Sequence, residues 1–427
     1  MLWLYRLLFL PALLIMAPRY LLRMRRRGGY RDKFEQRFGA HDGLPAKRAR
    51  VKRVWVQAVS VGEVLAIAPL LEALMKDGGV EVYLTTTTST GYRVAADRYA
   101  HLAIGIGYFP IDWWPFSARA WRKVAPDLAV LTEGERWPEH IHQAVTRGVP
   151  VVCINARMSD KTFRRMQRFG LARGAVLGGI SRLLASSVQD ERRLRELGVP
   201  AERLTTTGNL KLDVKIARLT ETEKAQLRRE LGLGEERVLL GSSTWPGEEE
   251  ALLEVWTELN KAGTRCALLL VPRHAERRPE IERLVRNAGA TYHLRSRGVA
   301  KEPVQVAVGD TTGELQKLTQ LADLVFVGKS LPPNDGGQTP VEAAALGKPI
   351  LFGPRMSNFR TIARELVECG GAVQVADEYA LRAEVKTLLD DATKRASVAA
   401  AAADWQRANA GAVERTLAVL REELGKR

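Results

Sequence analysis

Short apolar runs alternating with helix-length segments constrain this chain more than any other feature. In its first half, V-W-V-Q-A-V, V-E-V-Y-L-T-T, L-A-V-L-T and V-V-C-I-N are apolar or β-branched. Segments such as Leu65–Asp77 and Glu139–Arg147 separate them, and L-L-A-S-S and L-T-T-T-G-N continue the series. Strands alternating with helices form a parallel sheet with helices on both faces. After a polar stretch, Val214 to Glu236, the pattern restarts with V-L-L-G-S-S, A-L-L-L-V-P, Q-V-A-V-G-D, L-V-F-V-G and P-I-L-F-G-P. The expectation is an α/β chain of two doubly wound, Rossmann-like domains, residues 28–213 and 214–427, whose strand ends face a central cleft. The Ala-, Glu- and Arg-rich segment Ala399–Gly425 reads as a terminal helix on the second domain.

The chain has 427 residues, enough for two domains, and 65 Lys+Arg against 49 Asp+Glu give a formal net charge of +16. That balance points to an anionic partner: a nucleic acid, a phosphate-bearing substrate or a membrane surface. A merely basic surface is the bland alternative. No nucleic-acid motif and no basic patch interleaved with aromatics is present, so nucleic acid is not expected. Cys153, Cys266 and Cys369 are scattered without C-x-x-C spacing, which fits a reducing compartment and neither a disulfide framework nor a zinc site.

Residues 1–27 carry the second distinctive signal. The apolar run Leu7 to Pro18 is short for a membrane span of roughly 20 residues. Adding Leu2 to Tyr5, with Arg6 snorkelling outward, lengthens it sufficiently. Arg19, Arg23, Arg25, Arg26 and Arg27 follow, a cluster that stays on the cytoplasmic side and attracts anionic lipid. The expectation is an uncleaved anchor, spanning or interfacial.

Six stretches carry candidate chemistry. In S-V-G-E, Glu63 falls just after a strand and in the first turn of the next helix, as a catalytic base or as an acid complementing the helix dipole. E-G-E-R-W-P places Glu133 after another strand, as a site residue or as loop polarity. T-G-N-L-K-L-D offers Lys211, which can neutralise an anion or simply be solvated. In L-L-L-V-P-R-H, Pro272 and Arg273 end a strand, where an arginine suits a phosphate. G-D-T-T-G-E-L contains Thr312, Gly313 and Glu314; it is an anion-facing helix start, or a capping box formed by Thr311 and Glu314. G-G-Q-T-P-V-E-A-A-A starts a helix at Pro340, with Glu342 in its first turn as a ribose-hydroxyl acceptor or dipole partner. D-x-D and P-loop patterns are absent, and G-I-G at 105–107 does not complete G-x-G-x-x-G.

In this order and spacing the six stretches, with I-N-A-R-M-S and the N-terminal anchor, resemble the 3-deoxy-manno-octulosonic acid (Kdo) transferases of Gram-negative lipopolysaccharide synthesis. The resemblance implies a GT-B glycosyltransferase fold, a CMP-Kdo donor, a lipid A precursor as acceptor, inversion at the anomeric carbon, no metal and no further cofactor. It implies a protein of the bacterial inner membrane with its catalytic domains on the cytoplasmic side. By motif, Glu63 becomes the general base, and Glu133 and Lys211 stabilise the transition state. Pro272, Arg273, Thr312, Gly313, Glu314, Thr339, Pro340, Val341 and Glu342 hold the CMP. The chain departs from the family pattern at four places. G-G-H-N becomes Gly-Gly-Gln338-Thr339, S-T-H-x-G-E-E carries Trp245 for His, E-T-E becomes E-G-E, and G-G-S becomes Gly328-Lys329-Ser330. These departures leave two other readings open: a divergent GT-B transferase using another nucleotide sugar, and a catalytically idle, membrane-bound protein that binds an anionic ligand.

Overall fold

The computed structural model describes residues 2–27, 33–76, 78–168, 170–214 and 216–426. It divides into two compact units. Unit 1 comprises Met1–Asp213 together with Ala410–Arg427, and unit 2 comprises Val214–Asn409.

Among its described residues, unit 1 holds a seven-stranded sheet. Its strands are β1 (Lys52–Gln57), β2 (Val80–Thr86), β3 (Gly105–Tyr108), β4 (Leu128–Thr132), β5 (Val151–Ala156), β6 (Arg182–Ala185) and β7 (Leu204–Thr206). They lie in the order β3-β2-β1-β4-β5-β6-β7, every neighbouring pair parallel. Strands such as L-A-V-L-T are buried along their whole length, because helices cover both faces. Two cores result. On one face Val54, Val56, Leu84 and Val130 pack under the helix Val61–Lys76. On the other, Trp55, Trp121, Ala129 and Leu183 pack together.

Unit 2 repeats the plan among its described residues with β8 (Arg237–Thr244), β9 (Cys266–Pro272), β10 (Tyr292–Leu294), β11 (Val306–Val308), β12 (Leu324–Val327), β13 (Ile350–Phe352) and β14 (Ala372–Gln374). The order is β10-β11-β9-β8-β12-β13-β14, again all parallel. In each sheet the first strand lies centrally and successive connections run to opposite sides, so β1/β4 and β8/β12 mark the two topological switch points.

Three sequence expectations change. The segment expected as one terminal helix is two, Ala392–Asn409 and Ala412–Gly425, broken at Gly411, whose φ of 81° is left-handed. The last helix belongs to unit 1, not to the second domain. There Ala412, Val413, Leu417 and Leu420 join the core beside Leu71 and Leu210, and the Asp213 carboxylate accepts the Gly411 and Val413 N–H groups. The strand β3, G-I-G-Y, carries too few apolar residues to stand out from sequence.

The third change concerns residues 1–27. Leu2–Arg27 forms a single helix containing Pro11 and Pro18. Arg6 does not snorkel outward. It makes a bidentate ion pair with buried Glu139 (2.8 and 3.0 Å), and the Tyr5 hydroxyl donates to Asp112 at 2.7 Å. Among the described residues no helix is long and apolar enough to cross a membrane. The side chains of the cluster Arg19, Arg23, Arg25, Arg26 and Arg27 lie outside the described residues.

Candidate active site

The opening of unit 1's site is built at the β1/β4 switch point. After β1 the chain turns through Val59 and Ser60 into the helix Val61–Lys76, which puts Glu63 in its first turn. The Glu63 carboxylate accepts the Val59 N–H at 2.9 Å and the Ser60 hydroxyl at 3.0 Å, and the Thr132 hydroxyl at the end of β4 also donates to it. Three donors from two adjacent strand ends therefore fix one carboxylate. Gly62 has an ordinary φ, and a Cβ there would meet nothing within 4 Å, so glycine leaves open space beside Glu63 rather than satisfying a turn.

The residue after Thr132 is Glu133, held at a φ of 50°, a left-handed conformation that costs a non-glycine residue about 1 kcal/mol or more. Its Oε1 accepts from Lys211 Nζ at 2.6 Å, and Asn155 Nδ2 lies 3.4 Å away. Asn155 is itself left-handed (φ 49°), and its Oδ1 accepts the Leu210 N–H at 3.1 Å, which fixes the turn carrying Lys211. Glu63, Glu133 and Lys211 thus come from three strand ends of one sheet edge.

Sequence reasoning passed over Glu135. Burial, reinforced by the negative charge of Glu63 and then of Glu133, pushes its carboxyl up to about 7. The E-G-E spacing was the available signal: two carboxylates leaving one strand end share a confined space. Thr132 was equally silent, since only the pairing of β1 with β4 brings it to Glu63.

In unit 2 the remaining candidates occupy separate loops at the carboxyl edge. Pro272 ends β9, and the exposed Arg273 follows, its N–H bonded to Thr244 O at 3.1 Å. Its guanidinium has no partner among the described residues. Thr312 and Gly313 are exposed in the loop after β11. Glu314 accepts from Thr311 and from Arg295, which also reaches Glu230. Thr339 Oγ1 accepts the Val341 N–H at 3.3 Å, Pro340 precedes the helix Val341–Ala345, and Glu342 accepts from Gln316 at 2.9 Å. Gln316 follows Glu314 by two residues, so this single bond ties the two loops together.

Glu248, which the sequence reading did not single out, organises the switch point of unit 2. Its buried carboxylate accepts four backbone N–H groups: Trp245 (3.0 Å), Lys329 (2.7 Å), Ser330 (2.8 Å) and Leu331 (3.1 Å). One acid therefore fixes the loops after β8 and β12.

Two doubly wound units, each with polar side chains gathered at its switch point, define a GT-B-like α/β fold. The likeness extends to a solved UDP-N-acetylglucosamine 2-epimerase, with a TM-score of 0.59 and 15% identity, covering 89% of this chain and 98% of that one. A second epimerase, from Neisseria meningitidis and bound to UDP-GlcNAc, gives a TM-score of 0.57 at 15% identity, covering 88% of this chain and 100% of that one. At those identities the likeness concerns the fold.

The family is narrower. Residues 32–214 match the model of the 3-deoxy-D-manno-octulosonic-acid transferases (kdotransferases). A 3-deoxy-D-manno-octulosonic acid transferase of Bordetella pertussis is 36% identical, covering 94% of this chain and 95% of its own. That of Haemophilus influenzae is 32% identical over 92% of each. The chain belongs to the 3-deoxy-D-manno-octulosonic acid transferase family.

Proposed function

We propose that this protein transfers Kdo from CMP-Kdo to a lipid A precursor in lipopolysaccharide biosynthesis. The observation that carries the reading is the carboxylate Glu63, fixed by three donors beside the Glu133–Lys211 pair at one switch point. In the reaction Glu63 takes the proton of an acceptor hydroxyl, and that oxygen attacks the anomeric carbon of Kdo. The bond to phosphate breaks as CMP leaves with the electron pair, and the anomeric centre inverts. Lys211, steered by Glu133, offers positive charge near the transferred sugar as charge redistributes. Arg273, whose guanidinium has no partner among the described residues, is suited to the leaving phosphate. Pro272, Thr312, Gly313 and Glu314, with Thr339, Pro340, Val341 and Glu342, form the loops proposed to cradle CMP, Glu342 toward the ribose.

The same reading puts the protein at the cytoplasmic face of the bacterial inner membrane, where such an acceptor is embedded. Exposed Trp3 (80%), Leu7 (72%), Ile15 (79%) and Met16 (66%) on the N-terminal helix support this. Tyr5 and Arg6 bind that helix to the body of unit 1, which favours a helix lying in the interface over one crossing it. The net charge of +16 suits anionic lipid and a phosphorylated acceptor.

The test is transfer by the purified protein from a CMP-Kdo generating system to an acylated lipid A precursor, with vesicle flotation beside it. CMP release that depends on the acceptor supports the reading. CMP release equal with and without acceptor contradicts it. Failure to float with anionic vesicles contradicts the interfacial helix alone.

A further inference from the structure

Unit 2 holds at its switch point a cation that none of the roles above uses. β8 and β12 are neighbours in the sheet, and their connections diverge to opposite sides, so the loops that follow them flank the crevice where such sheets take ligands. Trp245 follows β8, and Gly328-Lys329-Ser330 follows β12. A Cβ at Gly328 would lie 2.5 Å from the Ser243 carbonyl oxygen, so that position admits only glycine. The next residue is where a side chain can leave the loop.

Lys329 is held there at a φ of 59°, against the steric preference of a side-chain-bearing residue. The hold comes from Glu248, which accepts the N–H of Lys329 and of Trp245 alike. The ammonium is carried over the Trp245 ring, 4.5 Å from its centroid. The indole in turn meets the edge of His274, with ring centroids 5.2 Å apart at 77°. An aromatic face holds a cation in place without neutralising it. Among the described residues the Lys329 ammonium forms no ion pair with a carboxylate. The charge is positioned, half-buried and unpaired.

The loop is also joined to the turn proposed to hold the nucleotide. Gly337 N–H donates to Lys329 O at 2.9 Å and Gln338 N–H to Gly328 O at 3.0 Å. A Cβ on Gly336 would come within 3.5 Å of Lys329 Nζ, so the turn passes directly beside the ammonium. We propose that Lys329 is a donor-binding residue whose ammonium takes an anionic oxygen of the CMP-sugar, from its phosphate or from its sugar carboxylate. This rests on the transferase reading given above. Trp245 is its positioning residue.

The experiment compares full-length wild type with Lys329→Gln and Lys329→Arg. Donor KM and kcat are measured with freshly generated CMP-Kdo, and CMP affinity by calorimetry. Lys329→Gln is expected to raise donor KM about tenfold, the scale of one charge-assisted contact, with kcat within about twofold. Lys329→Arg is expected to stay near wild type, and the salt dependence of KM to flatten in Lys329→Gln alone. If the phosphate is the partner, CMP affinity falls in parallel; if the carboxylate is, CMP affinity is unchanged while donor KM rises. Donor KM and CMP affinity both at wild-type values in Lys329→Gln overturn the proposal and leave the transferase reading standing. A wild-type protein that transfers no Kdo overturns both.

Discussion

The Thr132 hydroxyl donates to the Glu63 carboxylate, joining the last residue of β4 to the first helical turn after β1. The bond orients the carboxylate proposed as the base. Thr132→Val keeps the shape and removes the donor, so transfer should fall about tenfold, the scale of one hydrogen bond of about 1.5 kcal/mol. Thermal unfolding should move little, because Val59 and Ser60 still hold Glu63. Equal rates in Thr132→Val and wild type would show that the bond does not orient the base.

Lys211 and Glu133 form a partly exposed ion pair, with side chains 33% and 23% accessible. Such a pair contributes little to stability, about 1 kcal/mol or less. Lys211→Met should therefore leave the fold intact while lowering kcat about a hundredfold, the range seen when one transition-state donor is removed. On the proposal that Glu133 acts through Lys211, adding Glu133→Gln to Lys211→Met should cost much less than Glu133→Gln alone. Strictly additive losses in the four-variant cycle would mean that the two residues act separately.

Glu135 should make stability pH-dependent. Burial and the charge of Glu63 raise its folded pKa from 4.5 to about 7. The folded state therefore keeps a proton that the unfolded state releases. This contribution is fully present below pH 4.5 and is lost as pH rises to about 7. Glu135→Gln, which is neutral throughout, should raise the melting temperature relative to wild type at pH 8 and not at pH 4.5. The same difference at both pH values would rule out titration of Glu135 as the cause.

Arg6 and Glu139 join the N-terminal helix to unit 1, with Glu139 wholly buried. Removing one partner of a buried pair leaves the other uncompensated, at a cost of about 3–5 kcal/mol. Arg6→Ala should thus lower stability by that order, and Arg6→Ala with Glu139→Gln should recover most of it. Urea unfolding of the single and double variants decides this; no recovery in the double variant would mean that the pair is not the source of the loss.

How far the sequence reached can be traced residue by residue. β4 and β9 were legible because parallel strands buried on both faces spell continuous apolar runs. The placement of Glu63 and Arg273 at strand ends was legible because each follows such a run. Glu248 was not, because its four N–H donors come from β8 and β12 loops separated by some eighty residues of chain, and only the sheet order brings them together. Arg6 was misread for a related reason: its partner Glu139 lies over a hundred residues away, so local composition offered lipid as the only surroundings for it. The last helix was assigned by its neighbours in sequence, whereas its apolar face belongs to the core of unit 1.

The most direct measurement of the central claim is the mass of the lipid product. Purified wild type and Glu63→Gln are each incubated with a CMP-Kdo generating system and an acylated lipid A precursor, and the lipid is weighed by mass spectrometry. Wild type should add whole Kdo units to the lipid, and Glu63→Gln should do so at least about a hundredfold more slowly. A lipid of unchanged mass with wild type would contradict the transferase reading, and equal rates in the two proteins would contradict the base role of Glu63.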